Sequence, residues 1–191
     1  MCPSCGSLER HRFVWLYFQR QTDLFDREFE SVLHVAPEPC FLPRFLRLLG
    51  PGYLTADFLD DSVMERMDIT DIGHEDGAFD VIYCSHVLEH VPDDRKAIQE
   101  FRRVLKQDGW AVIMVPITSE STYEDASIVD PKGRLKHFGQ VDHVRRYGMD
   151  VQDRLEESGF SVTCVRPDAF LSEREQSDCR IDKSECLFLC K

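Results

Sequence analysis

No apolar run in this chain approaches the ~18 residues that a membrane span requires. The longest, Phe13-Val14-Trp15-Leu16-Tyr17-Phe18, is too short to cross. The opening Met1-Cys2-Pro3-Ser4-Cys5-Gly6 lacks the apolar stretch of a secretion signal, because charged side chains follow at once. Positive charge is scarce. There are 23 Lys and Arg against 35 Asp and Glu, a net charge of −12, the wrong sign for a general nucleic-acid binder. A second C-x-x-C is missing, so Cys2 and Cys5 make only half of a four-ligand zinc ribbon, and no bound metal is expected. Without an export signal the 8 cysteines are expected as reduced thiols in a cytoplasmic protein. No internal repeat is present. Glycine is absent between Gly6 and Gly50, a stretch that includes the turn after the first predicted strand.

What is present points to one folded domain, 1–191. Hydrophobic residues make up 42% of the chain and 13 of them are Phe, which excludes disorder. The pattern predicts a helix over Leu8–Leu24, a strand over Ser31–Val35, and a helix over Phe41–Leu49 stopped by Gly50-Pro51-Gly52. Strands follow at Tyr53–Ala56 and Phe79–Cys84. A helix runs from Pro92 to about Lys106, and a buried strand covers Trp110–Val115. Residues 117–147 read as a long polar insertion, the kind of loop that carries function. A helix over Val151–Ser158 and strands at Phe160–Val165 and Glu185–Cys190 complete the chain. Strand and helix alternate, so a doubly wound parallel sheet is expected, with its ligand site beyond the carboxyl ends of the strands.

Charge is uneven. Residues 51–100 hold 3 basic and 13 acidic groups, whereas Lys132, Arg134, Lys136, Arg145 and Arg146 stand almost unopposed in the insertion. Within the acidic block lies a phrase of defined order: Tyr53-Leu-Thr-Ala-Asp57, then Met67-Asp68-Ile69, then Phe79-Asp-Val-Ile-Tyr-Cys84. Ser85-His-Val-Leu-Glu-His90 and Phe101-Arg-Arg-Val-Leu-Lys-Gln-Asp-Gly-Trp110 continue it. Over residues 31–165 this resembles the class I S-adenosylmethionine-dependent methyltransferases, in particular a type 11-like sub-group with an H-x-A-P-E turn. The resemblance implies a Rossmann-like, mostly parallel seven-stranded sheet with its last strand antiparallel. An extra N-terminal helix would be carried by the 1–30 segment, beside the zinc half-site.

It implies S-adenosylmethionine as cofactor and S-adenosylhomocysteine as product. Asp57, matching the acid that closes the second strand, is expected on the ribose diol, where a carboxylate can accept from two donors. Phe58 follows it into the cleft. Asp68 is expected on the adenine amino group, with Ile69 packed on the ring. The first motif departs from the family. His34-Val-Ala36-Pro37-Glu38-Pro39-Cys40 has no glycine to take positive φ, and its prolines fix φ near −65° and remove two N–H donors. Ala36, Pro37 and Glu38 are therefore expected to line the cofactor along a stiffer path, with Ser85 at the mouth of the next strand.

His86, whose type titrates near neutrality, is the first candidate base, and His143 the second. His86-Val-Leu-Glu89-His90 also fits H-x-x-E-H, which on a helix would put both histidines on one face. The pattern is expected to belong to the methyltransferase phrase instead. In the insertion, His137, Gln140, Arg145, Arg146 and Tyr147 are candidates for binding the acceptor, since Arg pairs bidentately with carboxylate or phosphate. The expected function is methyl transfer to a small, anionic molecule by in-line displacement, with neither a membrane nor a nucleic acid as partner. The alternatives are a non-catalytic binding module and an RNA methyltransferase.

Overall fold

The computed structural model describes residues 1–26 and 29–191. The elements are α1 (Glu9–Gln21), β1 (Val32–Val35), α2 (Leu42–Leu49), β2 (Tyr53–Asp57), β3 (Glu65–Arg66), β4 (Phe79–Ser85), α3 (Asp94–Val104) and β5 (Leu105–Met114). They continue with β6 (Tyr123–Glu124), α4 (Pro131–Phe138), β7 (Arg145–Arg146), α5 (Val151–Glu157), β8 (Val162–Val165), α6 (Glu173–Asp178) and β9 (Leu187–Cys190). Seven strands form one sheet in the order β3-β2-β1-β4-β5-β9-β8, with β9 antiparallel to both neighbours and the remaining pairs parallel. The expected sheet and N-terminal helix are both present.

The sequence explains the layers. All seven residues of β4 are buried, as befits a central parallel strand covered on both faces. Its alternation then sorts the core. Ile82 and Cys84 face the layer of α3 and α5, where Ile98, Phe101, Val104, Val151 and Leu155 wait. Val81 and Tyr83 face the layer of α1 and α2, built from Phe13, Val14, Tyr17, Phe18 and Phe45. Asp93 caps α3, its carboxylate accepting from the Lys96 N–H at 3.0 Å.

Three details differ from expectation. β5 begins at Leu105, not Trp110, because an irregularity in its pairing with β4 keeps the Gln107-Asp-Gly109 turn within the strand. The insertion is not one long loop: β6 and β7 pair antiparallel, and α4 lies between them. Asp130 caps α4 by accepting from the Gly133 N–H at 2.8 Å. The third is α6, capped by a reciprocal Ser172–Glu175 pair that is legible as S-x-x-E.

Beneath the α1/α2 layer lies a buried polar network. With His34 Nε2 donating to Glu38 Oε2 at 2.7 Å, Nδ1 accepts from the Tyr53 hydroxyl at 2.6 Å. Tyr83 donates to Glu38 Oε1 at 2.9 Å, and His11 of α1 lies 3.8 Å from the same oxygen. Burial alone would raise the Glu38 carboxyl, but the hydrogen bond from His34, with His11 behind it, holds it below the ordinary range. A carboxylate held down in this way stabilises the fold above its unfolded-state value, and the contribution is lost as pH falls through the folded value. Removing one partner strands the others in the core. Glu38→Ala is expected to cost on the order of 3 kcal/mol, read as a lower urea midpoint. An unchanged midpoint would show that the network does not hold the turn.

Candidate active site

The strands that meet at the centre of the sheet end level. Val35 pairs with Ala56 on one side and with Cys84 on the other, so Ala36, Asp57 and Ser85 leave the sheet in one row. β1 and β4 run parallel, but the strand order reverses between them, β2 and β3 lying to one side of β1, and β4 and β5 to the other. At such a switch point a doubly wound sheet opens a crevice. A cleft of about 730 Å³ lies there. Among its walls are Ala36, Asp57, Phe58, Asp68, Ile69 and His86.

Each wall residue has a local reason for its position. Ala36 takes φ of 48°, the left-handed region that glycine ordinarily fills, and its N–H donates to Ala56 O at 2.8 Å. The turn contains no glycine, yet Ala36 adopts the conformation that glycine favours. Asp57 accepts the N–H groups of Leu59 and Asp60 on Oδ1 at 2.7 and 2.8 Å, which closes the turn and leaves Oδ2 for a ligand. Asp68 likewise accepts the Thr70 N–H and hydroxyl on Oδ1, both at 2.8 Å. Ile69 is buried beneath the floor, while Phe58 and Leu59 stand out as an apolar lip, 59% and 75% exposed.

His86 is the second strained position, with φ of 57°. Its N–H donates to Met114 O at 2.9 Å, and its Nδ1 lies 3.3 Å from the Ser85 hydroxyl. Burial, with the charge of Arg10 behind it, drives the imidazole down to about 3, so it is neutral throughout the physiological range. Strained residues at the mouths of two adjacent strands, both facing one cleft, are the pattern expected where function holds the backbone.

Not every candidate reaches the cleft. Pro37, Glu38 and Ser85 are not among its walls, and Glu38 points into the α1/α2 layer instead. Arg145 and Tyr147, expected to hold an acceptor, are structural. Arg145 is buried and donates to the carbonyls of Leu88 (2.7 Å), Pro92 (2.8 Å) and Val91, with Glu124 at 3.0 Å. Tyr147 is fully buried and donates to Asp94 at 2.6 Å. Arg154 completes the set, meeting Asp94 at 2.8 Å and Glu124 at 2.9 Å. Arg145 and Tyr147 have spent their donors on the Leu88–Asp94 stretch and on Glu124, so neither is free for a ligand. Arg146 bonds to Thr118, His137 lies 3.2 Å from the Tyr123 hydroxyl, and Gln140 is exposed; none of them lines the cleft.

His143 is buried behind the wall, its ring edge-on to His90 at 4.6 Å between centroids. The wall itself carries residues that sequence reasoning passed over: His90, Asp93 and Asp142. The signal for His90 was the H-x-x-E-H pattern. Asp142 had none, because the fold of the insertion delivers it. Among the described residues no Lys or Arg lines the wall, and four of the wall residues are aspartates: Asp57, Asp68, Asp93 and Asp142. Among the described residues no third thiol or imidazole joins Cys2 and Cys5 in a metal-binding group, and all cysteines are free.

Residues 21–113 match the model of a family described as a methyltransferase domain. Over 70 residues the chain is 34% identical to the uncharacterized methyltransferase YcgJ of Bacillus subtilis, a match covering 37% of this chain and 26% of that protein. The fold is similar to that of an S-adenosylmethionine-dependent methyltransferase from Mesorhizobium loti, with TM-score 0.63 and 16% identity over 93% of this chain and 97% of that one. A phosphoethanolamine N-methyltransferase of Haemonchus contortus, solved with phosphomonomethylethanolamine and S-adenosylhomocysteine, matches at TM-score 0.61 and 12% identity, over 94% of this chain and 52% of that one. At these identities the solved structures speak for the fold. No helix among the described residues is long and apolar enough to cross a membrane.

Two outcomes test the strained wall. Ala36→Gly is expected to raise the unfolding free energy by up to about 1 kcal/mol, because it removes the left-handed cost carried by the Cβ. A loss of stability would show that no strain resides there. The His86 ring resonances are expected to stay unshifted between pH 8 and pH 5 by NMR. Since the unfolded chain takes that proton near 6.5 and the folded chain does not, this group subtracts about 1.4 kcal/mol per pH unit as pH falls below 6.5. A midpoint near 6.5 in the folded protein would contradict this placement.

Proposed function

We propose that this chain, which resembles the class I S-adenosylmethionine-dependent methyltransferases and whose residues 21–113 match a methyltransferase-domain family, transfers a methyl group to a small molecule held in the cleft between β1 and β4. The observation that carries the reading is the convergence of Ala36, Asp57, Asp68, Ile69 and His86 on one crevice at the switch point of the sheet. The residues present fit the cofactor. Asp57 and Asp68 each keep one carboxylate oxygen uncommitted, and Ala36 holds the left-handed turn that lets the backbone approach closely.

When bound, S-adenosylmethionine supplies an electrophilic methyl on a sulfonium, open to in-line displacement by an acceptor nucleophile. The chain's part is positioning, which is a large share of the work in such a transfer. Asp57 accepts from the ribose hydroxyls, and Asp68 from the adenine amino group. Ile69 floors the ring, and the lip of Phe58 and Leu59 covers it against water. The acidic walls favour a cationic ligand at short range, where screening is weak. The neutral His86 imidazole accepts a hydrogen bond from the incoming nucleophile and orients it. As a base it is weak, because burial opposes its protonation. An anionic acceptor finds little support: Arg145 is consumed in the fold, Arg146 is bonded to Thr118, and no Lys or Arg among the described residues lines the cleft. A small acceptor bearing a neutral hydroxyl or amine suits these walls.

Calorimetric titration with S-adenosylmethionine and with S-adenosylhomocysteine tests the reading. Both are expected to bind, and Asp57→Ala to weaken each by tenfold or more, a loss of about 1.4 kcal/mol. No binding of either at millimolar concentration would overturn it in favour of the non-catalytic binding module. Unchanged affinity in Asp57→Ala would remove the ribose assignment.

A further inference from the structure

The acceptor end of the cleft is backed by a second constellation. Glu89 and His90 close the 3₁₀ turn Leu88–His90 that follows β4, and His143 arrives from the insertion just before β7. The two segments are locked together. The Val144 N–H donates to Glu89 O at 2.9 Å, and the Arg145 guanidinium holds the carbonyls around it. One ligand atom from each of Glu89, His90 and His143 lies within 4.8 Å of the other two.

Two further observations point to a ligand. Glu89 is 1% exposed and His143 6%, yet Glu89 Oε2 and His143 Nε2 have no hydrogen-bond partner among the described residues. An unmade bond on a buried polar atom costs about 1–3 kcal/mol, and two in one cluster call for an explanation. Asp142 Oδ2 lies 3.2 Å from His90 Nδ1, which is the carboxylate support that a metal-bound imidazole ordinarily has.

We propose that Glu89, His90 and His143 bind a divalent first-row transition-metal ion at the acceptor end of the cleft. One carboxylate oxygen with two imidazole nitrogens suits Mn²⁺, Co²⁺ or Zn²⁺ better than Mg²⁺ or Ca²⁺, which take all-oxygen sets. Three protein ligands leave coordination positions open. His90 and Asp142 are cleft walls, so the site borders the cleft. The ligand class that fits is a hydroxyl or phenol oxygen, whose proton a bound cation makes easier to lose. Cation binding itself stands apart from the methyl-transfer reading; the role at the acceptor rests on it.

The test uses the full chain, stripped of metal with a chelator and titrated with MnCl₂ alone, a probe to which thiols such as Cys2 and Cys5 contribute little. Free Mn²⁺ is followed by electron paramagnetic resonance. One ion per chain is expected. Glu89→Gln and His143→Gln should each weaken binding tenfold or more, while Cys5→Ser leaves it unchanged. In the wild-type chain, substoichiometric Mn²⁺ should broaden the ring resonances of His90 and His143 before those of His74 and His11, a readout that does not depend on how the variants fold. S-adenosylhomocysteine should bind Glu89→Gln as it binds wild type, which separates this result from a failed cofactor site. Absence of uptake by wild type of Mn²⁺, and of Co²⁺ or Zn²⁺ in parallel titrations, would overturn the proposal. So would equal uptake by Glu89→Gln, or broadening that begins at His11.

Discussion

The cofactor side of the cleft depends on Glu38 turning inward. Its carboxylate joins His34 and Tyr83 under the α1/α2 layer, with His11 close by, and so fastens the far end of the turn that follows β1. With His34 anchored in the strand and Glu38 anchored below it, the residues between have one path. Ala36 is then held at φ of 48° despite its Cβ, a conformation that costs roughly 1–2 kcal/mol in isolation. A hydrogen-bonded buried carboxylate whose loss costs a few kcal/mol offsets that strain. This is how the turn dispenses with glycine: its left-handed backbone is held by a side-chain clamp on the opposite face rather than by conformational freedom.

A second clamp organises the acceptor side. Asp94, Glu124, Arg145, Arg154 and Tyr147 form one network that joins the start of α3 to the insertion and to α5. Its charges are paired and mostly buried, so its effect is on position more than on net stability. It draws β7 against the Leu88–His90 turn and thereby carries Asp142 and His143 to the wall. The side chains that look most able to grip an anion are therefore the struts, and the chemically available groups are the neighbours that the struts carry.

Much of the fold was legible in the sequence, because strand and helix period and the stop signals are local. The row Ala36, Asp57, Asp68 and Ile69 was legible for a related reason: each sits at or just past a strand end, and strand ends are where such a sheet opens. Glu38 was harder. One residue decides whether a side chain leaves a turn toward the cleft or toward the core, and the partner that captured it, Tyr83, is 45 positions away. Arg145 was illegible for the same reason, since its partners Leu88 and Glu124 lie 57 and 21 residues off. The H-x-x-E-H pattern was seen, but helical spacing was the wrong ruler. His86 sits at positive φ before a short 3₁₀ turn, so His86 and His90 do not share a helix face, and the partner of His90 comes from the insertion.

The two clamps meet in a problem of proton balance at the methyl acceptor. An amine or alcohol that attacks a sulfonium methyl must give up a proton. The cleft-wall imidazole of His86 is held neutral by burial, and its affinity for a proton is low for the same reason. Burial that makes His86 a good hydrogen-bond acceptor makes it a poor proton store. A nucleophile that is already free of its proton can use His86 for orientation alone. A hydroxyl cannot, because it needs a group that stabilises the oxyanion as it forms. Among the described residues, the unsatisfied buried polar atoms Glu89 Oε2 and His143 Nε2 lie in the cluster with His90, a residue of the cleft wall. An amine acceptor has no use for a cation there, whereas an oxygen acceptor does. The occupancy of that cluster and the chemical class of the acceptor are therefore one question.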